Sequence, residues 1–89
     1  MRAQFAPKFL KKLKIQRVLI RKSFKEKIEI FTKDHENPGL HNYPLRREWM
    51  GYRSIDITAD YRAVFEVTED SDGPVAYFVA PGTHQELYG

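Results

Sequence analysis

Residues 51–80, GYRSIDITADYRAVFEVTEDSDGPVAYFVA, decide the fold, because through most of this stretch apolar and polar residues alternate. Successive strand residues point to opposite faces of a sheet, so a period of two is typical of strands. Turn signals at Ala59-Asp60 and Asp72-Gly73 divide the stretch into three antiparallel strands. The third strand, residues 75–80, is apolar on both faces, which predicts a central position, and Pro81-Gly82 is expected to end it.

The alternation also assigns side chains to the two faces of the predicted sheet. Ile55 and Ile57 share one face with alternate residues of the next strand, whereas Asp56 and Arg62 point to the other. Arg53 has the opposite strand parity from Asp56, so it reaches the polar face only through a bulge or a bend.

The first 39 residues follow the helical period of 3.6 instead. Pro7 suits the first turn of one helix, and residues 18–33 carry an apolar stripe typical of a second helix, which Asn37-Pro38-Gly39 ends. Residues 1–5 are expected to form an edge strand. The sequence therefore predicts an α+β fold, with two N-terminal helices packed on one face of a small antiparallel sheet. The other face is expected to be free for function.

The composition limits the classes of protein to consider. Eighty-nine residues cannot build two separate cores, so one domain spanning residues 1–89 is expected. The sequence contains no cysteine, which excludes disulfides, thiolate metal sites and cysteine nucleophiles. It also has no run of about 18 apolar residues, so we expect a cytoplasmic protein without a membrane partner.

The charge is divided unevenly along the chain. Residues 1–33 contain eleven Lys or Arg and two acidic residues, a net charge of +9, whereas residues 34–89 carry −6. A basic half is typical of a surface that binds the phosphates of a polyanion. The same lysines could equally be the solvated outer faces of two helices.

The histidines and the polar sheet face indicate a chemistry that needs no metal. His41 precedes the first predicted strand and His84 follows the third, and no histidine spacing matches a metal motif, so no metal or cofactor is expected. In RNA cleavage the 2′-hydroxyl is the nucleophile, and the protein supplies only proton transfer and cations for the phosphate. Each residue also has a structural interpretation: His41 could cap a loop, and Arg62 could pair with Asp56 or Asp60.

Five segments of the sequence resemble one known family. FAPKFLKKL (residues 5–13), LHNYPL (40–45), GYRSI (51–55), DYRAVF (60–65) and GTHQELYG (82–89) are similar to the RelE/StbE toxins of bacterial type II toxin–antitoxin modules, most of all to the YafQ branch. The resemblance implies an mRNA endoribonuclease, an mRNA interferase that acts in the ribosomal A site without a metal. It also implies a cognate antitoxin that holds the toxin inactive.

The resemblance also implies roles for individual residues. The catalytic residues it implies are His84 for proton transfer, His41, Asp60, the phosphate-binding Arg62 and the C-terminal aromatic Tyr88. Asp56 stands where the YafQ branch carries another histidine, and a carboxylate there could act as a base or orient a neighbouring Arg or His.

The remaining expectations concern substrate binding and two alternative functions. The expected substrate-binding residues are Arg53, Asp56, Tyr61, Lys11 and Lys12. One alternative is a catalytically inactive RelE-fold module that only binds an antitoxin or RNA. The other is a ParE-like toxin directed at DNA gyrase, although ParE-type relatives lack the paired histidines.

Overall fold

The computed structural model describes all 89 residues as three helices and five strands. The helices are α1 (Pro7–Lys14), α2 (Val18–Lys33) and α3 (His84–Tyr88). The strands are β1 (Arg2–Phe5), β2 (Tyr43–Pro44), β3 (Arg53–Asp56), β4 (Tyr61–Asp70) and β5 (Gly73–Thr83). Single 3-10 turns cover Pro38–Leu40 and Arg47–Trp49. None of the helices combines the length and the apolar character needed to cross a membrane.

The five strands form one sheet in the order β1-β5-β4-β3-β2. Strands β3, β4 and β5 are the predicted antiparallel meander, and β1 is the predicted edge strand. β1 pairs with β5 in parallel, so β5 is an interior strand with a neighbour on each side, as its two apolar faces indicated. The α+β prediction is thus confirmed, with one parallel pair in an otherwise antiparallel sheet.

The prediction that Pro81-Gly82 ends the third strand is wrong. β5 continues to Thr83, and its last residues stay paired with β4, Pro81 opposite Ala63 and Gly82 opposite Arg62. Proline has no N–H to donate and is tolerated where no neighbouring strand needs one. β1 ends opposite Phe78, so that side of β5 has no strand partner at Pro81.

The core lies between the sheet and the two N-terminal helices and is dominated by phenylalanine. The ring of Phe78 on β5 is fully buried, and ring centroids from β1, α1, α2 and β4 lie within 6 Å of it. Burying one such side chain contributes about 1.5–3 kcal/mol. These contacts fix both helices on one face of the sheet, as the sequence predicted.

The second face of the sheet is not fully open, which corrects the sequence prediction. The C-terminal helix α3 lies against it, and the Trp49 indole Nε1–H donates to the carbonyl oxygen of Leu87 at 2.9 Å. Gly82 permits this approach, because a Cβ there would lie only 3.2 Å from the Leu87 side chain. As a result Ser54 is fully buried and Arg62 is only 7% exposed.

Candidate functional site

An aspartate on the polar sheet face joins a histidine to an arginine. Asp56 ends β3 and lies opposite Arg62 of β4 in the antiparallel register. One Asp56 carboxylate oxygen accepts a hydrogen bond from Arg62 Nη1, and the other lies 2.6 Å from His41 Nδ1. Since an ionised carboxylate only accepts hydrogen bonds, Nδ1 carries the proton and Nε2 of the imidazole points away from Asp56. Half of the His41 side chain is exposed to solvent.

The Arg62 guanidinium is almost fully committed to the protein. Its Nε donates to the Ser54 hydroxyl at 2.9 Å, and its Nη2 donates to the carbonyl oxygens of His41 (2.9 Å) and Ser54 (3.1 Å). With the Asp56 contact, four of its five N–H groups have protein partners. Arg62 therefore holds the cluster together, and one Nη1 N–H remains for a ligand.

The C-terminal helix adds an aromatic and a second histidine to the same face. The Tyr88 hydroxyl and the Ser54 hydroxyl lie 3.2 Å apart, which ties the end of α3 to β3. His84, the first residue of α3, packs edge-on against the Tyr88 ring with centroids 4.9 Å apart. The imidazole of His84 is exposed and makes no hydrogen bond or ion pair within the protein. The two histidines are thus connected through Asp56, Arg62, Ser54 and Tyr88.

The position of α3 depends on its N-terminus. The Thr83 hydroxyl accepts from the Glu86 N–H, and the Glu86 carboxylate accepts from the Thr83 N–H, which is a complete capping box. The hydrogen bond from the Thr83 backbone lowers the pKa of Glu86, and the nearby Lys12 ammonium lowers it further. Helix α3, only five residues long, is therefore fixed at its start by this cap and at its end by Trp49 and Tyr88.

His41 has an unusual backbone conformation. Its φ of 48° lies in the left-handed region, which costs a residue with a Cβ about 1 kcal/mol or more. The carbonyl oxygen of His41 accepts from Arg62, and the imidazole reaches Asp56. The strained backbone of His41 is thus held in place by hydrogen bonds to the side chains of Asp56 and Arg62.

The other predicted residues lie around this cluster at different depths. The Asp60 side chain is exposed on the turn between β3 and β4 and has no protein partner. Arg53 lies on the helix-covered face, as its strand parity implied, and donates from Nε to Asn42 Oδ1 at 2.8 Å. Lys11 is exposed on α1, and Lys12 lies 3.5 Å from Glu86 of α3.

Tyr61 is placed in the core, 3% exposed, where its ring cannot stack on an RNA base. Its hydroxyl oxygen is buried without a hydrogen-bond partner. Burial raises the pKa of Tyr61, and the negative charge of Glu86 raises it further. Its position in this structure is that of a packing residue.

Sequence reasoning did not give Ser54 or Tyr43 a role in the site. Ser54 shares the strand parity of Asp56, so the alternation had already placed it on the polar face. Tyr43 lies on the short edge strand β2, and its ring centroid is 5.9 Å from Arg62 Cζ, which is a cation–π contact. Nothing in the sequence marked β2 as a strand, because Pro44 interrupts it.

The fold has clear relatives among solved structures, whereas neither a protein-family model nor a curated protein matches the sequence. The E. coli DinJ–YafQ complex contains a chain that superposes with a TM-score of 0.74 at 20% identity, and each chain is covered completely. A YoeB/ParE toxin from Agrobacterium tumefaciens gives a TM-score of 0.74 at 16% identity, over 94% of this chain and 99% of that one.

A third similar structure is the RelB–RelE antitoxin–toxin complex from Methanococcus jannaschii. Its TM-score is 0.62 at 25% identity, over 94% of this chain and 93% of that one. The structural neighbours are thus YoeB/ParE, YafQ and RelE toxins, and this chain has the fold of the RelE/ParE toxins. The resemblance seen in the sequence is confirmed at the level of the fold.

Proposed function

We propose that this chain, which has the RelE/ParE toxin fold, is the toxin of a toxin–antitoxin module and cleaves mRNA in the ribosomal A site. The observation that carries the proposal is the contact between His41 and Asp56, at 2.6 Å, on a sheet face where Arg62 holds both residues. Such a histidine has a fixed tautomer and a carboxylate that stabilises its protonated form.

The reaction needs a base, an acid and a cation for the phosphate. His41 Nε2 takes the proton of the RNA 2′-hydroxyl, and the 2′-oxygen attacks the neighbouring phosphorus as the bond to the 5′-oxygen breaks. His84 gives a proton to that departing oxygen, so the products are a 2′,3′-cyclic phosphate and a 5′-hydroxyl. The contacts support this assignment, because only His41 has a carboxylate to stabilise the imidazolium that a base becomes.

The hydrogen bonds of Arg62 and Asp56 support the roles that we propose for them. Arg62 has four N–H groups bound to the protein, so its main contribution is to position His41 and Asp56. The remaining Nη1 N–H contributes one charged hydrogen bond to the phosphate. Asp56 orients His41 and Arg62, which accounts for a carboxylate where the YafQ branch has a histidine.

The proposed partners are a cognate antitoxin, the ribosome and mRNA. Support for the antitoxin comes from the relatives, since RelE of Methanococcus jannaschii was solved in an antitoxin–toxin complex. Support for the ribosome comes from the net charge of +9 over residues 1–33, which suits ribosomal RNA. Co-purification of the neighbouring gene's product would test the first partner, and ribosome sedimentation would test the second.

The decisive experiment is induction of the chain in a growing bacterium, with mRNA cleavage mapped on and off translating ribosomes. His41→Ala and His84→Ala should each lower cleavage about 10²–10⁴-fold, because each removes a proton-transfer group. Gln85→Ala is the matched control, since this exposed neighbour on α3 makes no side-chain hydrogen bond. Cleavage should need no more divalent metal than the ribosome itself requires, so it should persist when a chelator removes the excess. It should leave a 2′,3′-cyclic phosphate.

Three results would contradict the proposal. A 5′-phosphate product would exclude attack by the 2′-hydroxyl. Growth arrest with intact mRNA and broken DNA would favour a gyrase-directed toxin instead, and no growth arrest at all would favour a module that only binds.

A further inference from the structure

A concave site adjoins the His41–Asp56–Arg62 cluster around the edge of the sheet. It is a cavity of about 740 Å³ between the segment that follows α2 and the helix-covered side of β3 and β4. His41, a member of the cluster, and Tyr43, which contacts Arg62, both line this cavity. The cavity and the cluster therefore share a wall. A volume of this size suits a small organic ligand or one nucleotide.

The cavity contains a positive charge that has no negative partner in the protein. Arg53 is half-buried there and makes no ion pair, in contrast to Arg62, which pairs with Asp56. Its Nε and Nη2 donate to the side chain and the carbonyl oxygen of Asn42, at 2.8 and 3.2 Å. The remaining N–H groups, including both on Nη1, have no partner in the protein, and a partly buried guanidinium of this kind favours an anion.

Asn42, the partner of Arg53, is itself held in place by the segment that follows α2. Its amide Nδ2 donates to the carbonyl oxygen of His35 at 3.0 Å, while its Oδ1 accepts from Arg53. The guanidinium is therefore oriented before any ligand arrives, which lowers the entropy cost of binding.

Part of the lining suits an aromatic ring. Phe65 lies directly across from Arg53 in the sheet register and forms part of the cavity wall together with Val67. The Tyr43 ring is 55% exposed at the shared wall, where an unpaired base can stack on it. The cavity thus combines the oriented guanidinium of Arg53 with the exposed side chains of Tyr43 and Val67, while most of its other lining is polar and includes the carboxylate residue Glu36.

We propose that this cavity receives a nucleotide flanking the cleaved bond of single-stranded RNA, with its phosphate on Arg53 and its base against Tyr43 and Val67, which are both exposed there. The proposal rests on the proposed RNA cleavage, since the shared wall joins the cavity to the reacting phosphate. RNA would then run from the cluster across the β2 edge into the cavity.

The test measures binding of an RNA hexamer whose riboses are 2′-O-methylated, so that it cannot be cleaved. When the hexamer is titrated into wild-type protein and followed by NMR, the Val67 methyl and Phe65 ring resonances should shift. Arg53→Gln should weaken binding about tenfold or more, because charge-assisted hydrogen bonds are removed. Val67→Trp should weaken it as well, by filling the cavity from an exposed strand position. Arg46→Gln, an exposed arginine outside the cavity, is the matched control and should bind normally.

The outcomes separate this proposal from the proposed function. If wild-type protein cleaves mRNA on ribosomes but the cavity resonances do not shift, or if Arg53→Gln and Val67→Trp bind like wild type, the cavity proposal is overturned. A different outcome would be that no cleavage is seen in any condition, while the hexamer still shifts the cavity resonances and Arg53→Gln still weakens hexamer binding. In that case the proposed cleavage is overturned and the nucleotide site stands. Thermal melting of each variant shows that it is folded.

Discussion

Ser54 connects the two halves of the candidate site through a single hydroxyl group. Its side chain is fully buried between Arg62, whose Nε donates to it, and the Tyr88 hydroxyl. An alanine would fit this space but would leave the Arg62 Nε–H without a partner inside the protein. Ser54 thus acts on the chemistry only through the two residues that it holds.

Ser54→Ala should lower the free energy of unfolding by about 1–3 kcal/mol, the cost of an unsatisfied buried donor. Cleavage should fall further than this destabilisation explains, because Arg62 and Tyr88 are no longer fixed. Urea unfolding and ribosomal cleavage assays measure the two effects, and Ser54→Thr, which keeps a hydroxyl, should restore part of the activity. Full activity in a folded Ser54→Ala variant would show that the hydroxyl is not needed to position Arg62.

Tyr61 offers the opposite case, a buried hydroxyl without a partner. Tyr61→Phe should unfold at the same or a higher urea concentration, because it removes a desolvated group that costs about 1–3 kcal/mol. A loss of stability larger than that of Tyr77→Phe, at a half-exposed position of β5, would show that the Tyr61 hydroxyl has a partner in solution.

The raised pKa of Tyr61 also predicts the alkaline behaviour of the protein. Burial favours the neutral phenol in the folded state, so its contribution is fully present below the ordinary pKa of 10. That contribution disappears as pH rises through 10 toward the raised folded value, since the unfolded chain ionises first. The stability of wild type should therefore fall faster than that of Tyr61→Phe above about pH 10, as urea unfolding at several pH values would show.

At the scale of elements, the short helix α3 decides whether the second sheet face is a site. It brings His84 and Tyr88 over β3, and five residues are too few to form a stable helix alone. Its capping box and the Trp49 contact with Leu87 supply the missing stability. The site thus depends on contacts at both ends of one short helix.

Glu86 makes the stability of α3 dependent on pH. Its pKa is lowered mainly by the Thr83 N–H, so the ionised carboxylate stabilises the folded state above its ordinary pKa of 4.5. This contribution disappears as pH falls through the lowered folded value. The melting temperature of wild type should exceed that of Glu86→Gln at about pH 6, and the difference should shrink steadily below pH 4.5. A difference that stays constant down to about pH 2.5 would contradict the role of the carboxylate charge.

At the scale of the whole molecule, positive charge is concentrated on the N-terminal helices and the candidate cluster lies on the opposite sheet face. Lys12 is paired with Glu86, so it is tied to α3, whereas Lys11, Lys22 and Lys25 are exposed without a partner. These three lysines are therefore the better probe of binding to ribosomal RNA, because changing them leaves α3 intact.

Replacing Lys11, Lys22 and Lys25 together with Glu should weaken ribosome association and make its salt dependence shallower. The slope of log K against log salt changes by about 0.9 for each duplex phosphate that the protein no longer neutralises. Sedimentation with ribosomes at several salt concentrations measures this, and Lys→Arg at the same positions keeps the charge as a control. Unchanged sedimentation of the Glu variant would identify these lysines as a solvated helix face.

The sequence by itself determined the two N-terminal helices, the antiparallel meander and the face of the meander on which each side chain lies. Helix α2 covers residues 18–33 as predicted, and Asp56 meets Arg62 because strand parity and one turn place them opposite each other. These features are local: a helical or strand period and a turn signal fix them within about ten residues. The prediction of a polar cluster with His41 nearby could therefore be made from the chain alone.

Only the tertiary structure decided which groups are covered and which contacts close the site. The Ser54–Tyr88 and Trp49–Leu87 hydrogen bonds join residues more than 30 positions apart, and no periodicity encodes them. The continuation of β5 past Pro81 depends on where β1 ends, which is a property of the sheet. The burial of Tyr61 and the cavity around Arg53 likewise follow from how helices and loops pack on strands, because burial is set by neighbours distant in sequence.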